Sequence, residues 1–159
     1  MGKKLKGKSD NNKISREELR VKTVSCPALQ DSNLLFEFNH ITDAKKYSFD
    51  ALLEQSKNDH NVLRDFLKLL KDISSCDLLE LTRRRKLNIG GYEKLDAGYM
   101  NSPIYSKYDP KMSLDTKLFV FRFGSKDMYR MVCHKSNQCN GILHILAFDL
   151  HHNLYDHGS

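Results

Sequence analysis

KLFVFRF, at residues 117–123, alternates between two sets of side chains with a period of two. This alternation predicts a β-strand, because successive side chains of a strand point to opposite faces of a sheet. A second alternating stretch, MYRMVCH, follows at residues 128–134. GILHILAF, at residues 141–148, is almost continuously apolar, which is typical of a central strand buried on both faces. The C-terminal third therefore predicts an antiparallel β-meander.

The length of the first loop in this meander decides which side chains share a face. A four-residue loop would place an arginine among the phenylalanines, whereas a five-residue loop at 124–128 sets Arg122 opposite Arg130. We favour the five-residue loop, because burying an arginine in an aromatic core costs more free energy. One face then carries Leu118, Val120, Arg122, Arg130, Val132 and His134, and the other carries Phe119, Phe121, Phe123, Tyr129, Met131 and Cys133.

The sequence before the meander predicts one strand and two or three helices. Residues 34–38 form the expected strand, and residues 49–57 the first helix. The clearest helix covers residues 62–73, where apolar side chains recur at helical spacing, and Asp59 is its expected N-cap. A further helical turn is expected at about 78–81.

Together these elements predict an α+β domain, with an N-terminal strand and two or three helices packed on a C-terminal antiparallel β-meander. We assign residues 33–159 to this single domain, with an irregular, tyrosine-rich insert at about 83–115. A chain of 159 residues is long enough for one domain and short for two. No apolar run approaches the roughly 20 residues that cross a bilayer, so we expect no membrane association.

Residues 1–32 are predicted to be a basic, mobile N-terminal arm. Eight basic and three acidic residues give the first 30 positions a net charge of +5, out of +6 for the whole chain. Such an arm can bind nucleic acid through phosphates without reading sequence, and the alternative is a solvated terminus that aids solubility. The arm residues assigned to nucleic-acid binding are Lys3, Lys4, Lys6 and Lys8.

A second basic run, Arg83-Arg84-Arg85-Lys86, is a candidate contact for RNA phosphates or for an acidic partner peptide. The alternative is a solvated helix end whose cations interact favourably with the helix dipole. At the N-terminus, MGKKLK is charged and no apolar stretch follows it, so we expect no secretory signal. We therefore expect a cytoplasmic protein with four free cysteines.

The order of motifs in the C-terminal third resembles the RelE/ParE/HigB superfamily of toxins from toxin–antitoxin modules. The likeness rests on FRFG at 121–124, MYRMV at 128–132, ILHILAF at 142–148 and the tail DLHHNLYDH at 149–157. It covers residues 117–157 in motif and about 30–155 in topology. The chain departs from the family in its greater length and in its large insert. It also resembles small, uncharacterised proteins of bacterial mobile elements, which imply no chemistry.

The toxin resemblance implies an endoribonuclease that cleaves messenger RNA, on the ribosome, by attack of the 2′-hydroxyl on the adjacent phosphate. It implies RNA or the ribosome as substrate, an antitoxin protein as partner, and neither a metal nor another cofactor. By resemblance, Arg122 and Arg130 stabilise the phosphate charge, and Tyr155 occupies the position of a terminal catalytic tyrosine. His157 or His152 would transfer the protons, because histidine titrates near neutral pH.

Each of these assignments has a structural alternative. Arg122 and Arg130 can instead pair with Asp149 or Asp127, and Tyr155 can belong to a terminus without a role. The competing function is a non-enzymatic module of a bacterial mobile element that binds nucleic acid or protein through its basic arm and insert. A zinc site is not predicted, because the cysteines lack Cys-x-x-Cys spacing, and His144 is expected to be a core or surface residue.

Overall fold

A computed structural model describes residues 33–84, 91–101, 104–109, 111–139 and 141–156. The predictions made for the N-terminal arm, including Lys3, Lys4, Lys6 and Lys8, lie outside these residues. Those for Arg85, Lys86, His157 and the side chain of Asp127 lie outside them as well.

The described chain forms a five-stranded sheet with three helices, which confirms the α+β class. The strands follow the spatial order β1-β5-β4-β3-β2. In chain order the elements are β1 (Leu35–Glu37), α1 (Phe49–Asn58), α2 (Val62–Ser74), α3 (Leu78–Arg83), β2 (Tyr92–Asp96), β3 (Lys117–Phe123), β4 (Tyr129–Lys135) and β5 (Ile142–Asp149).

One pair of strands departs from the predicted antiparallel arrangement. β1 pairs with β5 in parallel, with Leu35 beside Ile142, whereas the other three pairs are antiparallel. The sheet is therefore mixed. A parallel neighbour requires a long connection instead of a hairpin, and here the three helices and three strands between β1 and β5 provide it.

A strand also lies inside the segment predicted to be irregular. β2 pairs with β3 from Tyr92 beside Phe121 to Asp96 beside Lys117, so the expectation is wrong for these residues. Its sequence, YEKLD, is short and three of its five residues are charged, so it shows little strand signal by itself. Pairing with the strongly apolar β3 places it at the edge of the sheet, where charged side chains are tolerated.

The register of the β3–β4 hairpin is the predicted one. Arg122 lies opposite Arg130, so the loop has five residues. Gly124 begins this loop with a φ of 81°, in a region that favours glycine. A Cβ atom at this position would clash with Cδ2 of the buried Tyr129 ring, so the turn requires glycine for space as well.

The hairpin register gives the sheet two different faces, which we name by what covers them. The helix face carries Phe119, Phe121 and Phe123, and the helices pack on it, with the Phe66 ring centroid 5.7 Å from that of Phe123. The tail face is covered by Tyr47, Ala97, Ile104, Leu154 and Tyr155. Between these layers β5 is buried on both sides, as its apolar sequence predicts.

Side-chain caps define the starts of two helices but not of the third. Ser48 accepts a hydrogen bond from Ala51 N at the start of α1, and Asp77 accepts one from Glu80 N at the start of α3. The predicted cap of α2 is wrong: Asn61 is the N-cap residue, and Asp59 instead ends α1. No described helix has the length and apolar character to cross a membrane.

Candidate functional site

Three residues predicted to share a site, Arg122, Arg130 and Tyr155, meet on the tail face of the sheet. Arg122 on β3 lies beside Arg130 on β4, which in turn lies beside Asp149 on β5. Tyr155 comes from the tail, where its backbone forms a bridge with Met100. We use the name arginine–tyrosine cluster for Arg122, Arg130, Asp149, Tyr155 and Glu93.

Two carboxylates balance the two arginines of this cluster. The Tyr155 hydroxyl donates a 2.8 Å hydrogen bond to Glu93 Oε1, and the same oxygen lies 3.9 Å from Arg122 Nη2. Asp149 accepts hydrogen bonds from the backbone N–H groups of Asn153, at 3.1 Å, and Leu154, at 3.3 Å. Asp149 therefore fixes the tail that carries Tyr155.

The arginine–tyrosine cluster is largely closed to solvent. Arg130 is 5% exposed, Tyr155 3% and Asp149 0%. Burial raises the pKa of Tyr155 well above its ordinary value, the hydrogen bond to Glu93 raises it further, and Arg130 partly offsets both. The phenol therefore remains protonated at neutral pH and acts as a hydrogen-bond donor. Arg122 thus approaches Glu93, a carboxylate other than the Asp149 or Asp127 of its structural alternative.

Of the two histidines predicted to transfer protons, only His152 belongs to the described residues. His152 lies in the exposed turn after β5 with a φ of 55°. His144, in contrast, is buried in β5 opposite His134 of β4. Burial lowers the pKa of both imidazoles, and each is lowered further by a neighbouring histidine.

The described half of the second basic run divides into two environments. Arg84 donates to Asp72 Oδ2 at 2.5 Å and to Glu80 Oε1 at 3.3 Å, so its charge is used to fasten α3 to α2. Arg83 is exposed at the last position of α3. Only Arg83 of these two therefore offers its guanidinium to a partner without breaking an ion pair.

A concentration of positive charge that the sequence analysis did not single out lies at one end of the helix face. Lys94 of β2, Lys117 of β3 and Lys135 of β4 line a cavity of about 360 Å³, which we call the lysine pocket. Thr82 of α3, Thr116 and Asn137 add polar groups to its wall. The three lysines come from three adjacent strands, so the sheet fixes where their side chains begin.

The three lysines of the pocket differ in their neighbours and in their burial. Lys94 Nζ lies 5.3 Å from the ring centroid of Phe119, a distance at which the ring attracts the ammonium group. Lys117 forms an ion pair with Asp96, while Lys135 is half-buried. Lys94 forms no ion pair with the described residues. The pocket therefore combines three cations with hydroxyl and amide groups.

Only weak sequence signals point to these additional residues. Glu93 and Lys94 belong to β2, which was predicted to be irregular, so no pattern placed them next to β3. Lys117 begins the first alternating stretch, and Lys135 directly follows the second. Only the pairing of β3 with β4 brings these two lysines together. Comparison with known proteins adds no assignment: no family model, no curated protein and no solved structure matches the chain.

Proposed function

We propose that this protein binds RNA through its phosphate groups, with the lysine pocket as the main contact. The observation that carries the proposal is the convergence of Lys94, Lys117 and Lys135 on one cavity. Lysine ammonium groups neutralise phosphates and release condensed counterions, which supplies most of the affinity of sequence-independent binding. Hydroxyl and amide groups such as those of Thr82 and Asn137 commonly donate to phosphate and sugar oxygens.

One exposed arginine beside the pocket extends its basic surface. Thr82 lines the pocket, and the adjacent Arg83 is exposed and begins the run that continues in the sequence with Arg85 and Lys86. The N-terminal arm contributes a further net charge of +5 in the sequence. RNA bound at the pocket can therefore contact several cations, and its affinity is expected to fall steeply with salt.

The test is binding of a labelled single-stranded RNA of mixed sequence, followed by fluorescence anisotropy at several KCl concentrations. In the Lys94→Gln/Lys135→Gln variant, affinity is expected to fall about tenfold. The slope of log affinity against log salt should become shallower by about 0.7 for each lost phosphate contact. The matched control, Lys68→Gln/Lys71→Gln, removes the same charge from exposed positions of α2 and should change affinity much less.

Two results would overturn this proposal. The first is that the wild type binds no RNA at low salt. The second is that the pocket variant and the α2 control lose the same affinity, which would assign binding to net charge alone. Selective binding of an acidic protein with no RNA affinity would support the competing protein-binding module.

RNA cleavage, which the toxin resemblance implies, is the second candidate function. It is favoured by one observation, the meeting of Arg122, Arg130 and Tyr155 on one face. Cleavage there requires the tail at 150–155 to move, because it covers the cluster. We expect Arg122→Ala, the least buried change, to abolish growth arrest on induction while leaving the circular dichroism spectrum unchanged. A wild type that neither arrests growth nor cleaves RNA would refute this candidate.

A further inference from the structure

A group of metal-ligating side chains lies outside both sites described above. Glu37 of β1, His40 just after it and His144 of β5 each present a ligand atom within 4.8 Å of the other two. The parallel pairing of β1 with β5 sets Glu37 directly beside His144. We call these three residues the Glu-His-His group.

The carboxylate of Glu37 lies between the two imidazoles. Glu37 Oε2 is 2.6 Å from His144 Nδ1, and Oε1 is 3.6 Å from His40 Nε2. The two imidazole rings meet edge to face, with their centroids 5.0 Å apart. Two nitrogens and one carboxylate oxygen therefore face one small volume.

His144 is the buried member of the group. Its side chain is only 9% exposed, and Nδ1 faces the Glu37 carboxylate at 2.6 Å. The imidazole nitrogen and the carboxylate oxygen are therefore held together largely away from water, where solvent screens a bound cation little.

We propose that the Glu-His-His group binds a zinc ion, with one coordination position left open. Zinc binds imidazole nitrogen and carboxylate oxygen at about 2.0–2.2 Å, which places neighbouring ligand atoms about 3.3 Å apart in a tetrahedral site. His144 is fixed in the sheet, so this geometry requires only small movements of the more exposed Glu37 and His40. Three protein ligands with an open fourth position characterise zinc that binds water or a ligand, in contrast to closed structural sites.

The open position faces a cavity suited to a small polar ligand. The cavity measures about 420 Å³, and Tyr108, Asp109, Ser136 and Gln138 line it together with the three ligands. The Tyr108 ring lies 4.7 Å from both His40 and His144, measured between centroids, and so limits the movement of both imidazoles. The lysine pocket and this cavity share Asn137 among their described lining residues, but the three lysines line only the first and the three proposed ligands only the second, so the zinc site does not depend on the RNA proposal.

The test is titration of the tag-free, full-length protein with zinc chloride by isothermal titration calorimetry, with cobalt as a spectroscopic probe. The wild type is expected to bind one equivalent and to develop the visible absorption of tetrahedral cobalt. His40→Ala and Glu37→Gln should each lower the affinity at least tenfold. The matched controls are the exposed His60→Ala and Glu54→Gln, which should bind as the wild type does.

A second measurement guards against loss of the fold in the variants. Both half-exposed ligands can be changed without opening the core, and circular dichroism should show the wild-type spectrum for each. Zinc should raise the Tm of the wild type and of His60→Ala but not that of His40→Ala. Zinc binding that is absent in the wild type, or equal in His40→Ala, Glu37→Gln and the controls, would overturn the proposal.

Discussion

Tyr155 shows how one residue connects the tail to the sheet. Its ring is buried on the tail face, and its hydroxyl donates to Glu93, whose carboxylate also approaches Arg122. The residue therefore ties the last described segment of the chain to β2 and β3. Since the hydrogen bond is buried and involves a charged acceptor, removing the donor leaves a carboxylate oxygen less well satisfied.

We expect Tyr155→Phe to lower the free energy of unfolding by about 1–3 kcal/mol at neutral pH. The measurement is urea denaturation. The control is Tyr99→Phe, which removes the hydroxyl of a tyrosine that is 66% exposed and should change stability by less than about 0.5 kcal/mol. Equal effects of the two changes would show that the hydrogen bond to Glu93 adds nothing to the free energy of unfolding.

The same residue predicts a loss of stability at alkaline pH. The folded pKa of Tyr155 is raised above the unfolded value of about 10, so the native state holds this proton more tightly. Its contribution is fully present below pH 10 and is lost as the pH rises through the folded pKa. Unfolding measured from pH 9 to 11.5 should show a weaker decline for Tyr155→Phe than for the wild type.

At the scale of elements, α2 has one side buried in the core and one side exposed to solvent. Val62, Phe66, Leu69 and Ile73 are buried against the sheet, while Leu67 is 61% exposed. Two leucines two positions apart therefore have opposite environments. Helical spacing predicts the shared face of the four buried side chains, which recur every three or four residues. Leu67, which the sequence places at the edge of this apolar stripe, is exposed instead.

Leu69→Ala should cost about 2–5 kcal/mol of stability, because it deletes buried methyl groups and leaves a cavity. Leu67→Ala, the same chemical change on the same helix, should cost less than about 0.5 kcal/mol. Thermal unfolding of both variants, compared at equal buffer and concentration, measures the difference. A similar loss of stability in both variants would contradict the described position of α2, in which Leu69 is buried and Leu67 is exposed.

How far the sequence predicts these elements depends on how regular each pattern is. The register of the β3–β4 hairpin is predicted to the residue, because only one register keeps arginine out of the phenylalanine layer. α2 is predicted within one residue at its end, but its cap is not, since Asp59, Asn61 and nearby polar residues are all suitable in sequence. β2 and the parallel direction of β1 depend on partners distant in the chain, which no local pattern records.

The candidate sites, like the elements, are predicted only where a local sequence pattern joins their residues. Arg122 and Arg130 share a face because of one hairpin, so the sequence predicts their proximity. Glu93, the lysine pocket and the Glu-His-His group are assembled across strands that are not consecutive or were not predicted. Glu37 and His144 are more than 100 positions apart, and only the β1–β5 pairing joins them.

At the scale of the whole molecule, the two ends of the chain are expected to differ in importance for stability. Removing residues 1–30 should leave Tm nearly unchanged, because this lysine-rich segment offers little apolar area to a core, and it should weaken RNA binding at low salt. Removing residues 150–159 should destabilise the fold, since Leu154 is fully buried and Tyr155 is 3% exposed. Thermal unfolding of both truncations tests this, and a large fall in Tm for the first would contradict it.

The pairing of β1 with β5 has a consequence for how the chain is made in the cell. A growing polypeptide emerges at about 5–20 residues per second, and about 100 further residues must be made after β1 before its only described strand partner exists. Until then its backbone groups and the apolar Leu34 are open to chaperones and proteases. A messenger that ends early would release a product with an unclosed sheet. We expect chains cut before β5 to be more sensitive to protease than chains that include it.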